Sequence, residues 1–134
     1  MALLIDTSVL IDLERGRHGL DAVAGEEDRA ISIITQSELL HGVHRASDDR
    51  VRARRQAFVE HVLAALDPIP IDGRVARAHA AAWAQLDAAG TPIGAHDLWI
   101  GATALAHGYA VATANARDFE RIPGLTVIAV RPDR

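Results

Sequence analysis

Four acidic residues stand where a carboxylate can do more than solvate a surface: Asp6, Glu38, Asp97 and Asp118. Asp6 closes the apolar run of residues 2–5 and is followed by Thr7 and Ser8. Glu38 comes after the β-branched stretch of residues 30–34. Asp97 heads the apolar segment H-D-L-W-I-G-A-T-A-L-A-H-G, residues 96–108, and Asp118 lies in the polar turn T-A-N-A-R-D-F. If these segments are neighbouring strands and helices of one sheet, four carboxylates meet in one cleft. Like charges at that spacing repel, so protons or a cation must resolve them. Oxygen donors without cysteine suit hard ions, Mg²⁺ or Mn²⁺. Such an ion polarises a phosphoryl oxygen and stabilises a leaving oxygen, so the implied chemistry is phosphodiester hydrolysis.

Each acid also has a plainer reading. Asp6 and Asp97 can be helix caps, since Asp is favoured there. Glu38 in a first helical turn complements the helix dipole. His41 and His44 follow Glu38 at three and six residues. That order is not the H-E-x-x-H of a zinc hydrolase, so surface histidines are expected. What favours a site is the recurrence of acids at equivalent places.

The elements that must position them alternate between strand and helix. Residues 2–5 have no polar face and read as a strand buried on both sides, with a helix after Thr7 or Ser8. Residues 20–24 allow a short second helix. Residues 30–34 read as a second strand, and a helix starting at Thr35 or Ser37 would carry Glu38 in its first turn. Residues 48–66 form a long helix. Its start is rich in arginine (Arg50, Arg52, Arg54 and Arg55, with Arg45 just before), either a solvated face or a phosphate-contacting patch. Residues 68–71, with two prolines, suit an edge strand. Asp72 caps a helix over residues 73–89, whose alanines (Ala76, Ala80, Ala84) suit close packing, and Gly90 ends it. After the buried helix at residues 96–108 come a strand at 110–112, a short helix near Asp118 and a last strand at 126–130. Alternation of this kind predicts a three-layer α/β/α sandwich with a mainly parallel sheet.

The bulk properties set bounds. A chain of 134 residues, 49% apolar, is expected to be one domain with a proper core. No apolar run approaches the roughly 20 residues that span a bilayer. With no cysteine there is no thiol chemistry or disulfide, and a cytoplasmic protein is expected. The net charge of −4 argues against non-specific nucleic-acid binding, but all 14 basic residues are arginine, whose planar fork suits phosphate.

Taken in order, L-I-D-T-S-V-L-I-D, T-Q-S-E-L-L-H-G, H-D-L-W-I-G-A-T-A-L-A-H-G and T-A-N-A-R-D-F resemble the PIN-domain ribonucleases, in particular the VapC-type toxins of toxin–antitoxin pairs. The resemblance spans nearly the whole chain. It implies Asp6, Glu38 and Asp97 as metal ligands, with Asp118 as the fourth acid. It also implies Thr7 or Ser8, Thr113 and Asn115 as residues that orient ligands and water. Asn115 stands where the family sometimes has another acid, so one-metal and two-metal chemistry both remain open. The resemblance further implies an endonuclease acting on transfer or ribosomal RNA, a VapB-type antitoxin whose C-terminal segment fills the groove, and a homodimer.

Two other classes compete. A strand-end Asp can be the nucleophile of a haloacid-dehalogenase-type phosphatase, but residue 8 is Ser rather than a second Asp and no lysine exists to assist. A non-catalytic module could use the acidic cleft for a cation and the arginines for RNA.

Overall fold

The computed structural model describes residues 1–16 and 28–131. The short helix expected at residues 20–24 lies outside them. Five strands, β1 (Leu3–Ile5), β2 (Arg29–Ser32), β3 (Asp67–Ile69), β4 (Ala110–Thr113) and β5 (Val127–Ala129), form one sheet in the order β3-β2-β1-β4-β5. Every pairing is parallel. β1 is therefore central, and the proline-bearing β3 is an edge strand, where its missing N–H costs no ladder bond.

Among the described residues six helices cover the two faces: α1 (Thr7–Glu14), α2 (Ile33–His44), α3 (Asp49–Ala65), α4 (Gly73–Ala89), α5 (Ala95–His107) and α6 (Ala116–Phe119). Alternate strand residues divide the core. Leu4 and Val111 pack with Leu86, Ile100, Ala104 and Phe119 on one side. Ile5, Ile31 and Ala112 pack with Val9, Leu10, Leu39, Val43, Val59 and Val62 on the other. This is the expected α/β/α sandwich. No helix among the described residues is long and apolar enough to cross a membrane.

Two helices begin as their caps dictate. The carboxylates of Asp48 and Asp72 accept from the amides of Val51 at 2.8 Å and Val75 at 3.0 Å, and Gly90 closes α4 with φ of 68°. Two expectations need correction. Ile33 and Ile34 are helical, not the end of β2, because the Ser32 hydroxyl accepts from the Thr35 amide at 3.0 Å and starts α2 there. The cap outweighs the β preference of two isoleucines. Glu38 is consequently in the second turn of α2. The alanines Ala76, Ala80 and Ala84 are exposed, whereas Val75, His79, Ala82 and Leu86 are the buried face of α4. Larger apolar groups gain more from burial than a methyl, so they decide how the helix turns.

Gly101 marks the tightest place in the α5 interface. A Cβ there would collide with Ile122 Cδ1 and lie 3.5 Å from Leu125 Cδ2. Overpacking a filled core costs about 1–3 kcal/mol, against the ~1 kcal/mol that alanine gains over glycine inside a helix. Gly101→Ala is therefore expected to lower the melting temperature by a few degrees. A higher value would mean that Ile122 swings aside freely.

Candidate active site

The site is built at the carboxyl edge of the two central strands. Asp6 follows β1 directly, and its amide donates to the Ala112 carbonyl of β4 at 2.9 Å. It occupies the N-cap position of α1, yet its side chain makes no capping bond to that helix. Instead Oδ2 accepts from the Ser8 hydroxyl at 2.6 Å and the Thr113 hydroxyl at 2.8 Å. Those hydroxyls accept in turn from the amides of Ala114 at 3.1 Å and Asn115 at 2.9 Å. The loop after β4 thus hangs on two hydroxyls that hang on Asp6. Burial pushes the Asp6 carboxyl up from its ordinary pKa, while the Ser8 and Thr113 hydroxyls pull it back.

Glu38 reaches the same edge from α2. Its Oε1 accepts from the Thr7 hydroxyl at 2.7 Å, which also lies 3.0 Å from the buried Thr35 hydroxyl. Its Oε2 stands 3.4 Å from His96 Nδ1. Asp118, in α6, accepts from Asn115 Nδ2 at 2.7 Å and faces Arg121 Nη1 at 3.8 Å.

Asp97 is the third residue of α5, whose N-cap is Gly94, so it is not the cap. It is half-buried rather than carried deep into the core. Its pKa is pushed up to about 6, first by burial and then by the negative charges of Asp6, Glu38 and Asp118, with His96 opposing. The four acids share one electrostatic environment. They do not form a closed cage: among the described residues, no three Asp, Glu or His side chains form a group set to hold a metal ion. The donors facing the cleft are carboxylates and hydroxyls, which fits a hard cation, and Asp97 carries negative charge that such a cation would balance.

A groove of about 800 Å³ opens beside Glu38, lined by residues of α1, α2 and α3 and by His96 of α5. The structure separates the arginines marked in the sequence. Arg45 and Arg55 line the groove; Arg50, Arg52 and Arg54 do not. Arg52 donates to the Ala46 carbonyl at 3.0 Å and pairs with Asp49 at 2.7 Å. Arg55 donates to the Gly42 carbonyl at 3.0 Å and faces Glu14 at 3.6 Å, tying α3 to α2 and α1. Both are committed to the protein itself. His41 is exposed and lines the groove; His44 is exposed and does not. Sequence reasoning passed over Thr35, His96 and Arg15. His96 could have been marked as the neighbour of Asp97, but nothing in the spacing singles out Thr35 or Arg15.

Residues 3–125 match the PIN domain family. The chain is 38% identical over 130 residues to "Ribonuclease VapC1" of Rickettsia felis, covering 97% of each chain. It is 37% identical to "Ribonuclease VapC4" of Mycobacterium tuberculosis, covering 95% of each. Its fold matches the solved VapBC-5 toxin–antitoxin structure from M. tuberculosis with a TM-score of 0.79 and 32% identity, covering 97% of this chain and 98% of that one. The chain belongs to the PIN-domain family, and within it to the VapC ribonucleases.

The raised Asp97 pKa has a consequence for the metal-free protein. In the unfolded chain the carboxyl titrates near 3.8, and in the folded chain near 6. The folded state binds the extra proton between those values, so stability rises as pH falls from about 7 toward about 4. In chelator, the melting temperature of the wild type is expected to rise over that interval through this group. Asp97→Asn should be more stable than wild type at pH 7.5 and show a flatter profile. Parallel profiles for the two proteins would contradict the assignment of the shift to Asp97.

Proposed function

We propose that this protein is a divalent-metal-dependent endoribonuclease, the toxin of a VapBC-type toxin–antitoxin pair, acting at Asp6, Glu38, Asp97 and Asp118. The observation that carries the reading is that Asp6, Glu38 and Asp118 all lie close enough to act electrostatically on Asp97, at the carboxyl end of the central strands, where α/β folds bind ligands. Relatives named as ribonucleases over nearly the full chain support the reaction class, and "tRNA(fMet)-specific endonuclease VapC" of Salmonella typhimurium supports a structured RNA as substrate. Solved neighbours described as VapBC complexes support a VapB-type antitoxin as partner.

The roles combine what the family resemblance implies with the hydrogen bonds of the site. As the resemblance implies, Asp6, Glu38 and Asp97 would hold the cation, Mg²⁺ or Mn²⁺, with Asp118 as the fourth acid. A cation bound there would neutralise the acids and supply Lewis-acid polarisation of the phosphodiester. Ser8 and Thr113 favour the ionised form of Asp6 against its burial and fix its direction. Thr7 fixes the direction of Glu38. Asn115 orients Asp118. In the reaction a water oxygen bonds to phosphorus and gives up a proton, the P–O bond to the leaving ribose oxygen breaks, and that oxygen takes up a proton, so the net change is addition of one water across the bond.

Two measurements test this. Antitoxin-free protein should cleave cellular RNA into discrete fragments with Mg²⁺ or Mn²⁺, and lose that activity in EDTA and in Asp97→Asn, by at least about a hundredfold in rate. Cleavage that survives both changes would sink the mechanism. Divalent metal should also raise the melting temperature, since a ligand of the native state stabilises it, and Asp97→Asn should blunt the rise. RNA binding without turnover under every metal condition would favour the non-catalytic module.

A further inference from the structure

The groove beside Glu38 has two ends of opposite charge. At one end stand Thr7, Glu38 and His96, which belong to the acidic site. Along the rest lie Arg15, His41, Arg45 and Arg55, with Glu14 facing Arg55, so three arginines outnumber one acid there. Arg55 is spent on the Gly42 carbonyl and Glu14, so it shapes the wall. Arg15 and Arg45 differ from it. Both are exposed and end their helices, α1 and α2, as C-cap residues. Among the described residues, neither guanidinium has a hydrogen-bond or ion-pair partner. A cation at a helix C-terminus is already favourably placed by the dipole, so it stays oriented without a carboxylate partner. Two unpaired forks on neighbouring helix ends, facing a groove that runs into a cluster of acids, suit a strand of phosphates. They leave each acid free of an internal arginine partner from that wall.

We propose that Arg15 and Arg45 form a metal-independent phosphate clamp, gripping the RNA backbone to one side of the bond placed at Asp6, Glu38 and Asp97. The inference rests on the nuclease reading of those acids. Arg15 and Arg45 bind and position; they do not touch the reacting atoms. Phosphate contacts of this kind carry no sequence information and are read through their salt dependence. The arginines at the start of α3 supply the contrast, because Arg50 and Arg54 are also exposed and do not line the groove.

The test is binding of a fluorescein-labelled, mixed-sequence single-stranded RNA, followed by anisotropy over a salt series. It uses full-length Asp97→Asn in EDTA, with wild type in EDTA as a second background should that variant fold poorly. Arg15→Ala and Arg45→Ala should each reduce the slope of log K against log salt by about 0.7, the single-strand value per phosphate. A slope change of that size corresponds to roughly tenfold weaker binding near 50 mM salt. In metal-loaded wild-type background they should raise KM and leave kcat within about twofold. Arg77→Ala, at an exposed position of α4, controls for loss of one positive charge and should change neither quantity. Unchanged slopes in Arg15→Ala and Arg45→Ala, or a loss that follows Arg50→Ala and Arg54→Ala instead, overturns the clamp. So does absence of RNA binding, which would leave the groove to an acidic peptide. Failure of the nuclease reading looks different: wild-type protein would bind RNA with arginine-dependent slopes and cleave nothing in metal.

Discussion

The hydrogen bonds converging on Asp6 are the constraint on which the site depends. A carboxylate that is almost fully buried is costly unless its lone pairs are used. Here Ser8 of α1 and Thr113 at the end of β4 supply the donors. Each hydroxyl has a single proton, and giving it to Asp6 leaves the oxygen to accept from the backbone of the loop after β4. Both hydroxyls therefore share Oδ2 as their acceptor, which fixes the direction of every bond in this network. The same two hydroxyls that make the charge tolerable tie the start of α1 to the path toward Asn115 and Asp118. Stability of the strand edge and placement of the fourth acid have one cause.

The second half of the site is assembled by a similar device on the other side of β1. Thr7 points its hydroxyl to Glu38 and lies against Thr35, which Ser32 holds through the cap of α2. Thr7 and Ser8 are adjacent in the chain and serve different acids, because successive residues of the turn into α1 face different ways. One dipeptide after the central strand thus links α2 on one side with β4 on the other. Removing either hydroxyl would free a different carboxylate.

Much of the frame was legible in the sequence, and the reasons are local. Asp48, Asp72 and Gly90 are end signals with their own hydrogen-bonding or backbone logic, and they placed α3 and α4 almost to the residue. The proline pair marked β3 as an edge. The misplaced features needed information from elsewhere. Whether Ile33 and Ile34 extend β2 depends on the competition between a serine cap and a ladder partner. Which stripe of α4 is buried depends on what α5 presents to it. The acids themselves were found by recurrence and by family resemblance, but their supporting bonds join Ser8 to Thr113 and Thr7 to Glu38 across the fold, beyond the reach of any periodicity. The division of the arginines into wall, self-paired and unpaired groups is likewise tertiary.

The acids are not held equally, and the inequality bears on how a cation would be bound. Asp6, Glu38 and Asp118 each accept from a side-chain donor. Asp97 has no such donor among the described residues, and burial, followed by three like charges, raises its pKa. If all four carboxylates were tied down by hydroxyls, their charge would already be spread into the protein and a cation would gain little by replacing those bonds. If none were, the edge of the sheet would be too strained by repulsion to fold well. Three tethered acids fix the geometry, while the untethered one leaves negative charge that only a proton or a cation can satisfy. The instability concentrated at Asp97 is therefore a property that a binding ligand can convert into affinity, since whatever relieves the repulsion in the folded state stabilises that state by the same amount.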